Sequence, residues 1–253
     1  MIGFNALGRM GRLANQMFQY ASLKGIATYH GYDYMIAYHP DAVDDGIGNM
    51  LRTELFDSFD LKVRTGLFNA PTLSERVHNF DQQFFDECPD NVTLWGYFQT
   101  EKYFKHIEDE IREDFTFSKE ITEMCKELYN EVIDGESISL HIRRGDYTVN
   151  PNHPTQTVEY YDKALSNFDS KIPVFVFSDD PSWCHEQKLF SDDRFMISDG
   201  NATEFDLCLM SLCTYHIIAN SSFSWWGAWL AKSQKIIAPK NWFSAECGNK
   251  SIQ

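Results

Sequence analysis

Alternation between polar and apolar residues is a clear structural signal at residues 137–142 (SISLHI). Alternation over this length is typical of a half-buried strand, because successive side chains of a strand point to opposite faces. The apolar residues of the segment would face the core. The opposite face would then carry Ser139, His141 and Arg143.

The second half of the chain continues as strands that alternate with helices. The apolar run PVFVF at 173–177 is typical of a strand buried on both faces of a parallel sheet, and it ends in Ser178, Asp179 and Asp180. Further strands are predicted at 194–198, 215–220 and 235–239, and helices at 158–168, 182–189, 203–213 and 224–231. This alternation predicts βαβ units and a parallel sheet, so the fold class is α/β.

The first half is less regular, but its beginning has the same character. A strand is predicted at 1–6, a glycine-containing turn at 8–11, an apolar helix at 14–27 and a second strand at 33–38. A charged amphipathic helix at 119–132 leads to Asp134 and Gly135, where a boundary is predicted. The expected domains are therefore 1–134 and 135–253.

Composition and charge limit the kinds of partner. The chain has 253 residues, of which 43% are hydrophobic and 15% aromatic, enough for a large folded core. Its formal net charge of −15 argues against DNA, RNA or an anionic membrane as the main partner. A local cationic pocket is compatible with this value, because net charge describes only the average field.

Cysteine usage and the first residues indicate where such a protein is expected. The six cysteines include no CxxC pair and no spacing typical of a metal site, which favours a reducing compartment. The segment MIGFNALGRMGRLANQ has no apolar run of the length found in signal peptides or membrane anchors. We therefore expect a cytoplasmic protein without membrane insertion, or a catalytic domain cut from a longer, membrane-anchored protein.

The first candidate site is HIRRGDY at 141–147, which places two arginines at the carboxyl end of a strand. Ligands bind at that end in open α/β sheets, so an arginine fixed there predicts an anion site. Gly145 would let the backbone turn sharply. A surface ion pair between Arg144 and Asp146 explains the same residues equally well.

The second candidate is ANSSFSWWGAWL at 219–230, where Asn220, Ser221 and Ser222 join a predicted strand to a helix. Hydroxyl and backbone N–H groups at a helix start bind phosphate well. Ordinary N-capping is the more frequent role of such residues and is favoured from the sequence. The three tryptophans of the segment are expected in the core or at a domain contact.

The third candidate is Asp206, which shares a predicted helical face with Leu209, Met210 and Cys213. A carboxylate on an apolar stripe needs a partner, because an unpaired buried charge is costly. A protein amide, an arginine, or the N–H groups of a base such as guanine would each satisfy it.

Taken in order, GRLANQMFQYA, HIRRGDY, FSDD and ANSSFSWWGAWL resemble the α-1,2-fucosyltransferases of glycosyltransferase family 11, from about residue 11 to 243. The resemblance implies a GT-B-like fold of two Rossmann-like domains whose parallel sheets face a cleft. It also implies GDP-fucose as the donor, bound without a metal ion mainly by domain 135–253. Domain 1–134 would lie mainly on the acceptor side.

The resemblance also assigns residues. Arg143 matches the diphosphate-binding arginine of the wider fucosyltransferase group, and Asn15 matches its asparagine near the sugar and β-phosphate; these two are the expected catalytic residues. Gly11 would allow close backbone approach, although a tight turn explains it equally well, and Ala14 stands where the family more often has glycine. The expected donor-binding residues are Gly11, Asn15, His141, Arg143, Asp179, Asp206, Ser222 and Phe223.

The expected activity is that of an inverting fucosyltransferase acting on a galactose-terminated glycan, at the 2-hydroxyl of a terminal β-galactoside. No metal and no cofactor beyond the GDP-fucose donor is expected, since an arginine supplies bidentate donors to the leaving diphosphate. Two alternatives stay open. One is fucosyl transfer with another linkage, such as α-1,6, and the other is a non-catalytic module that binds a GDP-sugar or phosphoglycan.

Overall fold

The computed structural model of the chain describes residues 1–46, 49–133 and 135–244. The chain divides into two compact units, of which the first is Met1–Phe117 and the second takes the described residues from Ser118 onward. The division falls before the charged helix at Lys119–Ile133, whereas the sequence places it after that helix. Asp134, the predicted boundary residue, lies outside the described residues.

The secondary structure alternates short strands with helices throughout. The strands are β1 (Ile2–Phe4), β2 (Tyr34–Ile36), β3 (Val43–Asp44), β4 (Met50–Leu51), β5 (Thr72–Ser74), β6 (Thr93–Trp95), β7 (Ile138–Ile142), β8 (Val174–Ser178), β9 (Phe195–Ile197), β10 (Tyr215–Ile217) and β11 (Lys235–Ile237). The helices are α1 (Leu13–His30), α2 (Leu55–Ser58), α3 (Gln82–Glu87), α4 (Glu108–Asp114), α5 (Lys119–Ile133), α6 (Val158–Leu165), α7 (Pro181–Glu186), α8 (Thr203–Leu212) and α9 (Ser222–Leu230).

The first unit is built on a parallel sheet with the strand order β2-β1-β6-β5. Helix α1 follows β1 and is buried along most of its length, which explains its largely apolar sequence. It ends at Gly31, whose φ of 70° is a left-handed conformation that glycine adopts without steric cost. The predicted strand-turn-helix-strand order of residues 1–38 is confirmed.

The second unit is built on a parallel sheet with the order β11-β10-β7-β8-β9. All five residues of β7 are buried, including Ser139 at 1% and His141 at 5% exposure. The prediction of a half-buried strand at 137–142 is therefore wrong. A central strand of a parallel sheet is covered on both faces, so its polar residues point into packed structure rather than toward solvent.

Predicted and observed elements agree closely in this second unit. The strands expected from apolar runs are β8, β9, β10 and β11, and the expected helices are α6 to α9. Residues of β7, β8 and β10 form one core with the inner faces of α6 and α7. The α/β class with parallel sheets is confirmed.

Candidate active site

The second sheet reverses its sequence order between β7 and β10. From β7 the chain adds β8 and β9 on one side, and then β10 and β11 on the other. In open α/β sheets, ligands bind outside the carboxyl ends of the two strands at such a switch point. Arg143 directly follows β7, and Ser221 lies shortly after the end of β10. The topology therefore brings the HIRRGDY and ANSSFSWW motifs to the same edge of the sheet.

Arg143 faces two carboxylates at this edge. Its Nη2 is 2.6 Å from Asp146 Oδ1, and its Nη1 is 2.9 Å from Asp179 Oδ2. The guanidinium carbon lies 5.4 Å from the centre of the Tyr147 ring, and the side chain keeps 30% of its surface exposed. The two ion pairs orient the guanidinium, while its exposure leaves it accessible to a further anion.

Arg144 points into a different environment. Its Nε donates to Asp180 Oδ2 at 3.0 Å, and its guanidinium carbon lies 4.2 Å from the centre of the Trp183 ring. The alternative of an ion pair between Arg144 and Asp146 is therefore wrong, because Arg143 takes that carboxylate. Successive residues leaving a strand point in opposite directions, which separates the two arginines.

Asp179, at the end of β8, connects the two arginine positions. Its Oδ1 accepts the backbone N–H of Arg144 at 2.8 Å, and its Oδ2 is the one that faces Arg143. A Cβ at Gly145 would collide with the Asp179 carboxylate. The backbone turns into a short 3₁₀ helix at Gly145–Thr148, as the sequence predicts, and it does so without a positive φ at Gly145. The absence of a side chain there also leaves room for Asp179. The neighbouring Asp180 caps α7 by accepting from Trp183 N.

His141 is buried beneath the start of α9. Its Nδ1 is 3.0 Å from Ser224 Oγ, and its ring centre is 5.7 Å from that of the half-buried Phe223. Burial, with a smaller contribution from the Arg143 charge, lowers the pKa of His141 to about 3. The imidazole is therefore neutral at physiological pH, and it contributes hydrogen bonding rather than charge to the site.

Asp206 is half-buried on α8, one turn after the helix begins. Its Oδ1 accepts from Ser198 Oγ at 2.6 Å and from Asn201 Nδ2 at 3.4 Å. Burial raises the pKa of Asp206, and the two hydrogen bonds oppose that increase. In the described part of the chain both hydrogen bonds to this carboxylate use Oδ1, so Oδ2 is the oxygen suited to an external N–H donor.

The loop between β10 and α9 is tightly held. Ser221 caps α9 by accepting from Phe223 N at 3.3 Å, so the N-capping interpretation is confirmed for this residue. Asn220 donates to the carbonyl oxygens of Pro154 and Trp242 at 3.1 and 2.9 Å, which makes it an anchor for two other loops. Ser222 is the half-buried first residue of α9.

The three tryptophans of α9 form one cluster. The fully buried Trp226 has its ring centres 5.0 Å from Trp225 and 5.1 Å from Trp229. The other two are half-buried, so the expectation of a packing role is confirmed most clearly for Trp226.

The glycine-containing turn of the first unit lies at the start of α1. Gly8 and Gly11 have φ values of 80° and 81°, so both positions favour glycine. The buried Gln16 donates to the Gly11 carbonyl at 3.1 Å, and the buried Gln19 donates to the Met10 carbonyl at 2.9 Å. The polar positions of ANQMFQ therefore hold the turn in place.

Asn15 lies directly against this turn. A Cβ at Gly11 would collide with the Asn15 side chain, so Gly11 serves the turn and makes room for Asn15. Close approach of a ligand to the Gly11 backbone stays a prediction. Gln99 Nε2 donates to Asn15 Oδ1 at 2.7 Å. The predicted site residues are thus divided between the units, with Gly11 and Asn15 in the first and the other six in the second.

Some partners of these residues were not found from the sequence. Ser224 stands in a motif already singled out, but its role depends on contact with His141, which lies 83 residues earlier. Gln99 is 84 residues from Asn15 and has no local signal of its own. Ser198 is the last residue of a predicted strand, so its position at the ligand edge was the one available clue.

Across the described residues, no group of three or more His, Cys, Asp or Glu side chains is placed to hold a metal ion. None of the helices in the described ranges is long and apolar enough to cross a membrane.

Comparison with known proteins agrees with the motifs. The model of glycosyl transferase family 11 matches residues 1–252. The chain belongs to glycosyltransferase family 11. It is 34% identical to an α-1,2-colitosyltransferase of Escherichia coli over 93% of this chain and 91% of the relative. It is 26% identical to galactoside α-(1,2)-fucosyltransferase 2 of Bos taurus over 92% of this chain and 71% of the relative.

The fold of this family 11 glycosyltransferase also matches a solved structure. NodZ α-1,6-fucosyltransferase soaked with GDP-fucose aligns with a TM-score of 0.56 and 17% identity, over 90% of this chain and 91% of that one. The predicted GT-B-like α/β class is confirmed. At this identity the likeness concerns the fold alone.

Proposed function

We propose that this family 11 member is an inverting fucosyltransferase that moves L-fucose from GDP-β-L-fucose to the 2-hydroxyl of a terminal β-galactoside. The observation that carries the proposal is Arg143, held by Asp146 and Asp179 at the switch point of the second sheet. The name of the bovine relative supports both the sugar and the linkage.

The proposed chemistry needs a stabiliser of negative charge. Transfer breaks the bond between the anomeric carbon and the β-phosphate oxygen, so charge grows on GDP while the sugar becomes oxocarbenium-like. Arg143 would meet that charge bidentately, without a metal ion. By the resemblance to the family, Asn15 would bind near the sugar and β-phosphate of the donor, and Gly11 would let the ligand approach the backbone.

Guanosine recognition would fall to residues around α8 and α9. Asp206 would accept guanine N–H groups with Oδ2, and Phe223 would contact the base beside the neutral His141. Ser222 would donate to phosphate at the start of α9. Asp179 would serve the donor through its hold on Arg143. The donor would thus bind mainly to the second unit, and the acceptor mainly to the first.

The test is incubation with GDP-fucose and lactose, with GDP release measured in the presence and absence of lactose. Acceptor-dependent release, with an NMR correlation between the fucose anomeric carbon and galactose position 2, is the expected result. A correlation to position 6 would instead support another linkage. Binding of GDP-fucose with no release would support a non-catalytic module. Excess EDTA should leave the rate unchanged, and loss restored by magnesium would overturn metal-free transfer.

A second candidate donor has specific support, since the 34% identical relative is named a colitosyltransferase. Colitose is fucose without its 3-hydroxyl. A site that hydrogen-bonds this hydroxyl should reject GDP-colitose by roughly ten-thousand-fold in kcat/KM, because its polar groups would be left unpaired. A preference for GDP-colitose would assign the chain to colitosyl transfer, and comparable kcat/KM values would mean that the site does not recognise the 3-hydroxyl.

A further inference from the structure

A chain of hydrogen bonds at the carboxyl edge of the first sheet includes Asn15. The strand order β2-β1-β6-β5 reverses between β1 and β6, which makes this pair the switch point of the first unit. Asn15 lies in the segment after β1, and Gln99 lies in the segment after β6. Their 2.7 Å hydrogen bond therefore spans the switch point from one side to the other.

This hydrogen bond fixes which way the Asn15 amide faces. Gln99 Nε2 donates, so Oδ1 of Asn15 is the atom turned toward Gln99. Nδ2 then occupies the other side of the planar amide, next to Gly11. An anionic phosphate requires donors, and a reversed amide would offer it a repulsive carbonyl oxygen.

Gln99 is held by a loop with an unusual backbone. Gly96 has a φ of 153° and the fully buried Phe98 has a φ of 50°, a conformation that costs free energy for a residue with a Cβ. Gln19 of α1 donates to the Gly96 carbonyl at 3.2 Å, and Ser22 donates to the Phe98 carbonyl at 3.3 Å. Such a conformation persists only where the surroundings impose it.

Glu75 also stabilises the loop at 96–98. It directly follows β5, and its two carboxylate oxygens accept the backbone N–H groups of Tyr97 and Phe98 at 2.8 and 3.1 Å. Burial raises the pKa of Glu75, against the effect of these hydrogen bonds. The partly buried Glu75 carboxylate therefore holds the loop that carries Gln99.

We propose that Gln99 and Glu75 are positioning residues for transfer, which fix the Asn15 amide with its N–H groups toward the donor phosphate. Gln99 acts on Asn15 directly, and Glu75 acts through the loop at 96–98. The inference rests on the proposed role of Asn15 in transfer, but the orientation of the amide can be tested without it.

The first experiment compares Gln99→Met with Gln83→Met. Methionine keeps the approximate volume of glutamine and removes the donor, and Gln83 is an exposed glutamine of the same unit that bonds Glu87 at 2.9 Å. We expect kcat to fall about tenfold in Gln99→Met, less than for deletion of a transition-state donor itself. KM for GDP-fucose should change less than about twofold, and Gln83→Met should behave as wild type.

A double-mutant cycle separates positioning from a general structural effect. If Gln99 acts through Asn15, Gln99→Met should lower kcat no further once Asn15→Ala is present. The same should hold for Glu75→Gln, which keeps one acceptor oxygen. Full additivity in the Asn15→Ala background would overturn the proposal.

A measurement that needs no turnover decides the amide orientation. The side-chain NH₂ signals of Asn15, identified by their loss in Asn15→Ala, should shift or broaden in Gln99→Met but not in Gln83→Met. Gln99→Glu replaces the donor with an acceptor and should shift the Asn15 signals further. It takes the place of Gln99→Met if the methionine variant does not fold. Unchanged Asn15 signals in both Gln99 variants would refute the inference. If the Asn15 signals shift as expected but the protein does not transfer fucose, only the proposed function is refuted.

Discussion

Two adjacent arginines of identical chemistry receive different surroundings in this protein. Arg143 lies between Asp146 and Asp179 and remains 30% exposed, whereas Arg144 stacks on Trp183 and bonds Asp180. The second set of contacts secures the start of α7. The first orients a cation at the switch point, so a diphosphate would find the guanidinium already in place.

Arg143→Lys is expected to lower turnover by roughly a hundredfold or more, as for loss of an oxyanion-stabilising donor. Lysine keeps the charge but loses the planar fork that holds two phosphate oxygens. Steady-state kinetics with GDP-fucose and lactose measures the effect. Arg144→Lys is the matched control and should retain turnover within a few-fold. Near-normal Arg143→Lys with an inactive Arg144→Lys would make Arg144 the diphosphate ligand.

Asp206→Asn is expected to weaken GDP binding by roughly ten- to hundredfold, the effect of losing a charge-assisted hydrogen bond. Asparagine still accepts from Ser198 but presents a donor where guanine needs an acceptor. Calorimetry with GDP and IDP tests this directly, since IDP lacks the 2-amino group and the variant should lose the preference for GDP. Asp199→Asn, at an exposed neighbouring aspartate, should bind as wild type. An unchanged preference in a folded Asp206→Asn would make Asp206 purely structural.

Acidification should mimic that substitution. Because burial raises the pKa of Asp206, protonation begins at a higher pH than for an ordinary aspartate. The affinity for GDP, measured by calorimetry across this pH range, should therefore be highest at neutral pH. It should begin to fall at a higher pH than an ordinary aspartate would cause. Asp206→Asn should not show this fall.

At the scale of elements, the sequence predicted the strands that are buried along their whole length. Strand β8 is apolar because both faces of a parallel sheet are covered, and so its run is visible in one sequence. Strands β3 and β5 were not found, since they have two and three residues with largely exposed side chains and no periodic signal. Such short, exposed strands form because a neighbouring strand pairs with them, and their own sequence does not show this.

Non-local contacts account for the remaining differences. Helix α5 was predicted correctly, but its place in the second unit depends on contacts such as Cys125 Sγ to Phe205 O, 80 residues apart. The position of Arg143 followed from its strand, whereas its partner Asp179 comes from the neighbouring strand of the sheet. Local sequence patterns reveal the helices, the strands and the candidate ligand-binding side chains. The order of the strands in the sheet decides which of these side chains lie next to each other.

The turn before α1 allows a test with a matched glycine. Gly11→Ala and Gly31→Ala each place a Cβ at positive φ, 81° and 70°, so Gly31→Ala should destabilise the fold by about 1 kcal/mol and Gly11→Ala by at least that amount. The added Cβ at Gly31 meets open space, whereas at Gly11 it meets the Asn15 side chain. We therefore expect turnover to fall only in Gly11→Ala, beyond what denaturant unfolding accounts for. Equal activity in both variants would remove the turn from the site.

At the scale of the whole molecule, two parallel sheets each carry a switch point with candidate ligand groups at it. The net charge of −15 makes the average field unfavourable to an anionic donor, so recognition would depend on local donors such as Arg143. The sheets also bury titratable groups, and these link the stability of the fold to pH.

His216 lies in the centre of the second sheet, fully buried, with Nε2 2.9 Å from the Met210 carbonyl. Its Nδ1 is buried without a partner in the described part of the chain. Burial lowers the pKa of His216 to about 4, below the ordinary value of 6.5. Between these values the unfolded chain binds a proton that the folded chain excludes, so stability rises with pH and is lost as pH falls.

We expect His216→Gln to reduce that acid sensitivity. Glutamine can donate to the Met210 carbonyl but does not titrate. At about pH 5 the unfolded-state proton costs wild type about 2 kcal/mol relative to neutral pH, from 1.36 kcal/mol per pH unit. Urea unfolding at about pH 7.5 and pH 5 should therefore show a smaller loss in the variant by about that amount. His185→Gln, at an exposed histidine, should keep the wild-type loss. An equal loss in His216→Gln and wild type would place the acid sensitivity elsewhere, with the buried His141 as the next group to replace.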